Sequence, residues 1–484
     1  MITKIFDMII SVIEGTLKTI FEVLESMVSS LSSKQNEYKA DFASQGTLLS
    51  SWNNGFCLTG NKNLSLKHSF QNALIIGGTG AGKSSVVLIP CLFSMKGSFI
   101  VHDPSGELYT KSAGYLEQKG YEIKILNFAH PEISSNYNPL SRAKNSTDIQ
   151  KVASMLVENS LGGGKKDPFW NNLAISLITV LIQILKTQPE EYQNLYNVRN
   201  LLNSMGGNPE AVDALFSKNA SEKLFYEYKS FLAYDEKVTS GVIATCKASL
   251  QIFNDENIGK VTSGDNIPFE EFRNKPTVLY IQNSVADQRY YSTLTSIFFE
   301  QLFSYTLSRF PKQDEQNIFF LIDECSSLHL PTLALATANV RKHSAGIMLI
   351  IQDFNQIVHH YGKYESDAIR ANCFAKLYFT GQSLETAKEL EQILGKYEFK
   401  DKDERKVVRP LMTNDEIRTM KETRAILVCG HYPPILAKLH PYYKSIRYRK
   451  YSLIPPPTSK SANDIDIVPV LPLPITAKIN EQKK

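Results

Sequence analysis

Apolar and polar residues follow two rhythms along this 484-residue chain. Short continuous apolar runs, bounded by glycine, proline or polar residues, predict strands that are buried on both faces. Strands that alternate with helices form right-handed βαβ units and a parallel sheet, with ligands at the carboxyl ends of the strands. The pattern therefore predicts an α/β fold. Its predicted strands are 73–76, 97–103, 121–127, 277–281, 317–322 and 347–351.

Between residues 143 and 265 the pattern changes to helices, with few strand signals. We therefore predict an all-α insertion at 143–265 that divides an α/β domain into residues 56–142 and 266–450. The stretch 56–69 is expected to form a short strand pair that leads into the first central strand. The predicted helices of the insertion are 148–158, 169–187, 195–202, 209–216, 220–233 and 238–253.

The two ends of the chain have their own patterns. Residues 1–31 form a predicted amphipathic helix, whose acidic polar face favours packing on a partner or on its own chain over a membrane surface. Polar residues 32–55 are a predicted linker. Residues 446–451 interleave bases and aromatics, which is typical either of a contact with single-stranded DNA or of a solvated edge strand. The proline-rich tail 451–484 is predicted to be disordered or extended.

Composition narrows the class of protein. With 43% hydrophobic and 21% charged residues, most of the chain should fold. A net charge of +4 is too small to indicate nucleic-acid binding by itself. The six cysteines lie far apart, which fits reduced thiols in a cytosolic protein. The longest apolar stretch, 173–185, is shorter than the roughly 20 residues of a membrane span. We therefore expect a cytoplasmic protein without a transmembrane helix.

A glycine-rich loop follows the first predicted strand and precedes a helical segment. In this setting it matches the phosphate-binding pattern GxxxxGK[ST], because glycines let successive N–H groups turn inward and the helix adds its positive dipole end. Lys83 is expected to contact the β- and γ-phosphates, and the Ser84 hydroxyl to hold Mg²⁺. The predicted ATP-binding residues are Gly77, Gly78, Thr79, Gly80, Ala81, Gly82, Lys83, Ser84 and Ser85.

Two adjacent acids end the apolar run 317–322. Carboxylates at the end of a buried strand are costly unless a cation or a reacting water uses them. Asp323 is therefore expected to order the Mg²⁺ shell together with Ser84, and Glu324 to position and polarise the attacking water. Asp103, which ends the run 97–103, is expected at the same edge of the sheet.

Two further polar residues flank the last strand. Gln352 follows it and would lie beside the γ-phosphate. Arg341 precedes it, and the residues alone leave open whether it is an ordinary surface charge or an arginine finger that reaches a neighbouring subunit's nucleotide.

These motifs, in this order, strongly resemble the TraG/TraD-type coupling proteins of type IV secretion, and the resemblance covers about residues 70–445. It is carried by the sequences at 103–107, 138–140, 340–343, 351–353, 361–363, 369–373, 385–387, 394–395, 409–411, 415–418 and 433–435.

The resemblance implies a RecA-like P-loop ATPase domain with a parallel-rich central sheet, assembled as a homo-hexameric ring that moves DNA or nucleoprotein. It implies that Arg341 is an arginine finger acting in trans and that Gln352 senses the γ-phosphate. It also implies that the all-α insertion faces relaxase, other relaxosome proteins or other substrate proteins. Such proteins usually begin with two membrane-spanning helices, whereas residues 1–31 offer only the amphipathic segment. Peripheral or indirect association with the inner face of the bacterial membrane is therefore the expectation.

Three functions fit this sequence. The first is an ATP- and Mg²⁺-dependent motor that couples a conjugation substrate to the channel proteins of a type IV secretion system. The second is a related ring ATPase for DNA partition or defence. The third is a nucleotide-dependent adaptor that recruits protein substrates.

Overall fold

The computed structural model describes residues 38–160, 167–284, 286–458 and 465–473, so the predicted helix 1–31 lies outside the described residues. At its centre is a nine-stranded sheet of order β11–β10–β7–β1–β6–β5–β2–β4–β3. Strands β1 to β7 run parallel, whereas β10 is antiparallel to both of its neighbours. The predicted α/β fold is confirmed. The strands are β1 Ala73–Ile76, β2 Ser98–His102, β3 Glu122–Leu126, β4 Thr277–Ile281, β5 Ile318–Ile322, β6 Ala345–Ile351, β7 Ala375–Tyr378, β8 Lys396–Lys400, β9 Lys406–Pro410, β10 Arg424–Cys429 and β11 Ile435–Lys438.

The central strands are apolar throughout because helices and loops cover both faces of the sheet. Leu74 and Ile76 of β1 enter the core on one face, and Ala73 and Ile75 enter the core on the other. The helices are α1 Leu66–Ser69, α2 Ile89–Ser94, α3 Glu107–Gln118, α4 Pro139–Arg142, α5 Ser146–Ser160, α6 Pro168–Leu185, α7 Leu195–Gly207, α8 Pro209–Asn219, α9 Glu222–Leu232, α10 Glu236–Ser249, α11 Glu256–Thr262, α12 Glu271–Asn274, α13 Gln288–Ser308, α14 Leu333–Asn339, α15 Phe354–Ala371, α16 Leu384–Leu394, α17 Asn414–Arg418 and α18 Ile446–Tyr451.

Helices α5 to α11 lie between β3 and β4 in the chain, and α6 is central among them. This helix packs against α5, α7, α9 and α10. In the part of the chain that the structure describes, α6 is the one helix long and apolar enough to cross a membrane by length and composition. The central helix of a soluble helical domain can have the same length and apolar composition. Because α6 packs against four neighbouring helices, it is such a central helix here.

Two short segments differ from their predicted structure. In place of a strand pair at 56–69, Cys57 and Asn63 form an isolated bridge and α1 follows. Residues 446–451 form a helix, α18, instead of an edge strand. Tyr448 of this helix is buried against Phe93, with ring centroids 5.4 Å apart, so an aromatic that looked like a nucleic-acid contact belongs to the core.

The described parts of the predicted linker and tail also lie on the body of the protein. Leu48 and Leu49 are buried. Beyond α18 the chain continues without helix or strand as far as residue 458, and the Tyr109 hydroxyl donates a hydrogen bond to the Pro457 carbonyl over 3.1 Å. Residues 465–473 likewise form no helix or strand, and they bond to Asn197 in the helices between β3 and β4. These two stretches of the tail therefore contact the folded part of the chain.

The strand register places four loops together. Ile76 pairs with Ile351, and His102 pairs with Ile322. Because the strands are parallel, the segments that follow β1, β2, β5 and β6 all emerge at one edge of the sheet. This carboxyl edge holds the glycine-rich loop and the two acids.

Candidate nucleotide-binding site

The glycine-rich loop is built directly on the central strands. The Gly77 N–H donates to the Ile351 carbonyl over 3.2 Å, which ties the start of the loop to β6. Gly80 and Gly82 have φ angles of 77° and 91°, a region that side chains disfavour. A Cβ added at Gly77 would lie only 2.8 Å from the Phe379 Cβ. The loop therefore requires glycine for its conformation and for its packing.

Lys83 lies inside this loop. Its Nζ donates to the carbonyls of Gly77 and Gly78 over 2.6 and 2.9 Å. Burial lowers the pKa of the Lys83 ammonium, while the nearby charges of Asp323 and Glu324 oppose that shift. The two acids and the lysine therefore form one electrostatic group, and a phosphate can replace the loop carbonyls as the partner of the ammonium.

The two predicted serines have different surroundings. Ser84 is the first residue of the helical segment Ser84–Leu88 and is half-buried. The Ser85 hydroxyl donates to the Gly82 carbonyl over 3.1 Å, so it stabilises the turn. Ser84 remains the proposed magnesium ligand of the pair.

Asp323 and Glu324 follow β5 in a constrained turn. Burial raises the pKa of Asp323 to about 7, and the Glu324 carboxylate adds to this shift. Glu324 has a φ of 51°, and its N–H donates to Asp323 Oδ1 over 3.1 Å. A bulky residue in the left-handed region is uncommon, and such conformations cluster at functional sites.

His102, a residue without any sequence signal, supports this turn. Its Nδ1 lies 2.6 Å from the Asp323 carbonyl oxygen, so Nδ1 carries the proton that makes this hydrogen bond. The side chain is buried, and burial lowers the pKa of His102 to about 4. Within the described residues, His102 Nε2 has no hydrogen-bond partner. A neutral histidine therefore holds the peptide that joins the two acids.

Asp103 caps the start of helix α3. Its carboxylate accepts hydrogen bonds from the N–H groups of Leu108 and Tyr109 over 3.2 and 2.8 Å. These are free N–H groups in the first turn of α3. The expectation that Asp103 lies at the ligand-binding edge is met, but its oxygens are engaged by the helix.

Two glutamines border the loop. Gln352 follows β6 beside Gly77 and is exposed. Gln382 was not predicted; it is buried, and its Nε2 donates to the carbonyls of Ile76 and Phe379 over 3.1 and 2.7 Å. Its Oε1 has no partner in the described part of the chain. The Gln382 amide is therefore held at the end of β1, and Gln352 follows the strand that pairs with β1.

Arg341 is not brought to this site. It lies in the 3₁₀ turn Val340–His343 before β6, at the opposite, amino edge of the sheet, and its side chain is exposed. Its charge reaches His68 of α1, where burial and the charges of Lys67, His431 and Arg341 together lower the pKa of the imidazole. Arg341 is therefore exposed on a cationic surface away from its own chain's loop.

The residues at the carboxyl edge fit a magnesium-bound triphosphate. In the described ranges no three His, Cys, Asp or Glu side chains are grouped so as to enclose a metal by themselves. Magnesium at phosphate sites takes one or two protein ligands and completes its shell with phosphate oxygens and water. Ser84 and Asp323 could supply those ligands, and Lys83 could bind the phosphates.

A glycine loop with an internal lysine lies after β1, and two acids follow the parallel strand β5, which β6 separates from β1. This arrangement defines the P-loop nucleoside-triphosphate-binding class of proteins. Within this class, residues 21–465 match the family model described as type IV secretory system conjugative DNA transfer. The chain belongs to this family, which confirms the resemblance found in the sequence.

Curated relatives agree with this assignment. Protein VirD4 of Agrobacterium fabrum is 21% identical over 403 residues, which are 78% of this chain and 60% of that protein. The conjugal transfer protein TraG of Escherichia coli is 22% identical over 451 residues, covering 81% of this chain and 70% of TraG. The chain thus spans about 60% of the length of the VirD4 protein that it matches.

Solved structures share the fold. The bacterial conjugative coupling protein TrwBdeltaN70, in complex with sulphate, superposes with a TM-score of 0.67 at 18% identity, over 84% of this chain and 95% of that one. TrwB in complex with ADP and Mg²⁺ has a TM-score of 0.66 at 19% identity, over 84% of this chain and 96% of that one. The likeness confirms a RecA-like P-loop fold.

Proposed function

We propose that this chain hydrolyses ATP with Mg²⁺ and uses the energy to move DNA or nucleoprotein towards a type IV secretion channel. The observation that carries the proposal is the convergence of Lys83, Asp323 and Glu324 at one edge of the sheet. The printed descriptions of the relatives, conjugal transfer and coupling proteins, support the transported substrate.

Each residue has a chemical role in the proposed reaction. The Mg²⁺-bound triphosphate supplies the transferable phosphoryl group. Lys83 leaves the loop carbonyls and neutralises the phosphate charge, while Ser84 and ionised Asp323 hold the magnesium. Glu324 orients and polarises the attacking water. Gln352, beside Gly77, senses the γ-phosphate.

In a homo-hexameric ring, Arg341 of a neighbouring subunit would supply a further cation to the phosphates. The helices α5 to α11 are the proposed contact with relaxase and other relaxosome proteins. We further propose that the protein works in the cytoplasm, or peripherally at the inner face of the membrane beside the channel proteins.

The test is ATP hydrolysis with and without DNA at 50 and 200 mM salt. DNA should stimulate hydrolysis, and the stimulation should fall steeply with salt because phosphate contacts release counterions. Lys83→Ala should abolish hydrolysis, whereas Lys96→Ala, at an exposed lysine, should not. If the rate of ATP hydrolysis is the same with and without DNA at both salt concentrations, the proposed DNA motor is refuted. ATP-dependent binding of a partner protein without DNA stimulation would instead favour the adaptor.

A further inference from the structure

The tail residues 465–473 lie along a groove of the helical insertion, between α7 and α11. Asn197 of α7 is fully buried beneath this segment. Its Nδ2 donates to the Pro469 carbonyl over 2.8 Å, and its Oδ1 accepts from the Leu471 N–H over 2.9 Å. One side-chain amide therefore binds the tail through two main-chain groups, a contact that does not depend on the identity of the tail side chains.

The tail side chains face the groove with a spacing of three. Val468 and Leu471 are only 8% and 9% exposed, while Ile467 and Val470, the residues that precede each of them by one, are 84% and 53% exposed. Ile465, three residues before Val468, is half-buried, and its Cδ1 would lie 3.1 Å from a Cβ added at Gly264. A repeat of three residues per turn is the geometry of the polyproline II helix.

Proline placement agrees with this geometry. Pro469 and Pro472 enclose two residues, which makes the segment a PxxP sequence. Proline fixes φ near the polyproline II value, so such a segment loses little conformational entropy when it binds. The tail is therefore preorganised as an extended ligand.

The opposite wall of the groove is shaped for close approach. A Cβ added at Gly259 of α11 would lie 3.0 Å from Val468 Cγ2 and 3.0 Å from Tyr196 Cδ2. A glycine beside an aromatic ring thus forms the pocket for Val468. Aromatic-walled grooves with a polar side chain for the peptide main chain are how proline-rich segments are commonly recognised.

We propose that the groove between α7 and α11 is a binding site for proline-rich peptides in the polyproline II conformation, which the chain's own residues 465–473 occupy. The tail acts as a tethered ligand, and an incoming peptide of the same chemistry has to displace it. Tethering gives the tail a millimolar effective concentration, so a free peptide binds the intact chain weakly. This site is separate from the nucleotide site and does not depend on ATP hydrolysis.

The experiment uses a fluorescent synthetic peptide with the sequence of residues 465–473 and the full-length chain. The double substitution Val468→Asp and Leu471→Asp removes both buried anchors of the tail and leaves the groove intact. We expect this variant to bind the peptide at least about tenfold more tightly than the unsubstituted chain does, because the tethered competitor is lost. Fluorescence anisotropy measures both dissociation constants.

Two controls make the outcome specific. Adding Asn197→Ala to the double variant should abolish peptide binding, whereas adding Asn203→Ala, at an exposed position of α7, should not. A peptide with aspartate at both anchor positions should not bind the double variant, and this comparison remains valid if Asn197→Ala disturbs folding. Equal peptide affinity for the double variant and the unsubstituted chain would overturn the proposal, as would equal binding of the two peptides.

Discussion

Acidification should weaken the binding of Mg²⁺-nucleotide because Asp323 takes up a proton near neutral pH. Burial raises the pKa of this carboxyl to about 7, with a further contribution from Glu324. A raised carboxyl pKa means that the folded protein holds the proton below pH 7, whereas magnesium requires the ionised form. With a pKa of about 7, the ionised fraction is about 0.9 at pH 8 and about 0.1 at pH 6. The Kd should therefore rise about tenfold from pH 8 to pH 6.

The assay is calorimetric titration with a nonhydrolysable ATP analogue and Mg²⁺ at several pH values in buffers of different ionisation enthalpy. Proton release on binding should be largest near pH 6 and small at pH 8. Asp323→Asn should bind weakly with little dependence on pH, and Asp314→Asn, at an exposed acid, should keep the tenfold change. A pH-independent Kd for the unsubstituted protein, or an unchanged slope in Asp323→Asn, would show that Asp323 is not the titrating ligand.

Three further experiments test the geometry. His102→Phe should lower kcat about tenfold with little change in nucleotide affinity, because it leaves a buried carbonyl unpaired at a cost of ~1–3 kcal/mol. His102→Asn should restore much of kcat, because the asparagine amide replaces the hydrogen-bond donor. Equal losses of kcat in both variants would argue against this role. Gly77→Ala should weaken nucleotide binding, because a Cβ there would lie 2.8 Å from the Phe379 Cβ, whereas Gly206→Ala in α7, where a Cβ meets open space, should not; binding titrations compare the two variants. An equimolar mixture of Lys83→Ala and Arg341→Ala chains should recover about a quarter of the ATPase activity of the unsubstituted protein. Random assembly pairs an intact loop with an intact arginine at one interface in four. If mixing restores no activity, Arg341 does not act in trans.

The central part of the fold could be predicted because burial on both faces makes the strands uniformly apolar. The runs that became β1, β4 and β5 carry no charged residue, and their ends coincide with the glycine loop and the acid pair. Strands β7 and β10 escaped prediction although both lie inside the sheet. Lys376 interrupts β7 and Arg424 begins β10, and short strands of mixed polarity resemble loops in a single sequence.

The nucleotide loop and the acid pair could be predicted because each combines residue type with position at a strand end. His102 could not, because its function depends on a carbonyl 221 residues away in the chain. Gln382 likewise acts through the Ile76 carbonyl, 306 residues distant. Asp103 and Asp323 both follow an apolar strand, so the sequence places both carboxylates at the same edge of the sheet. Only the structure shows that the Asp103 carboxylate accepts hydrogen bonds from the first turn of α3.

The position of Arg341 has a consequence for assembly. It precedes β6, whereas Gln352 follows it, and the seven residues of this strand span about 23 Å. A rigid strand in the middle of the sheet cannot bring both ends to one phosphate, so the arginine finger that we propose, Arg341, would have to act on the ATP of another chain. Such a contact would join the amino edge of one sheet to the carboxyl edge of the next. This contact is heterologous, and it forms a ring where the rotation between subunits closes. A two-fold dimer would leave at least one edge of each sheet unused, and we accordingly expect ATPase activity to rise steeply with protein concentration.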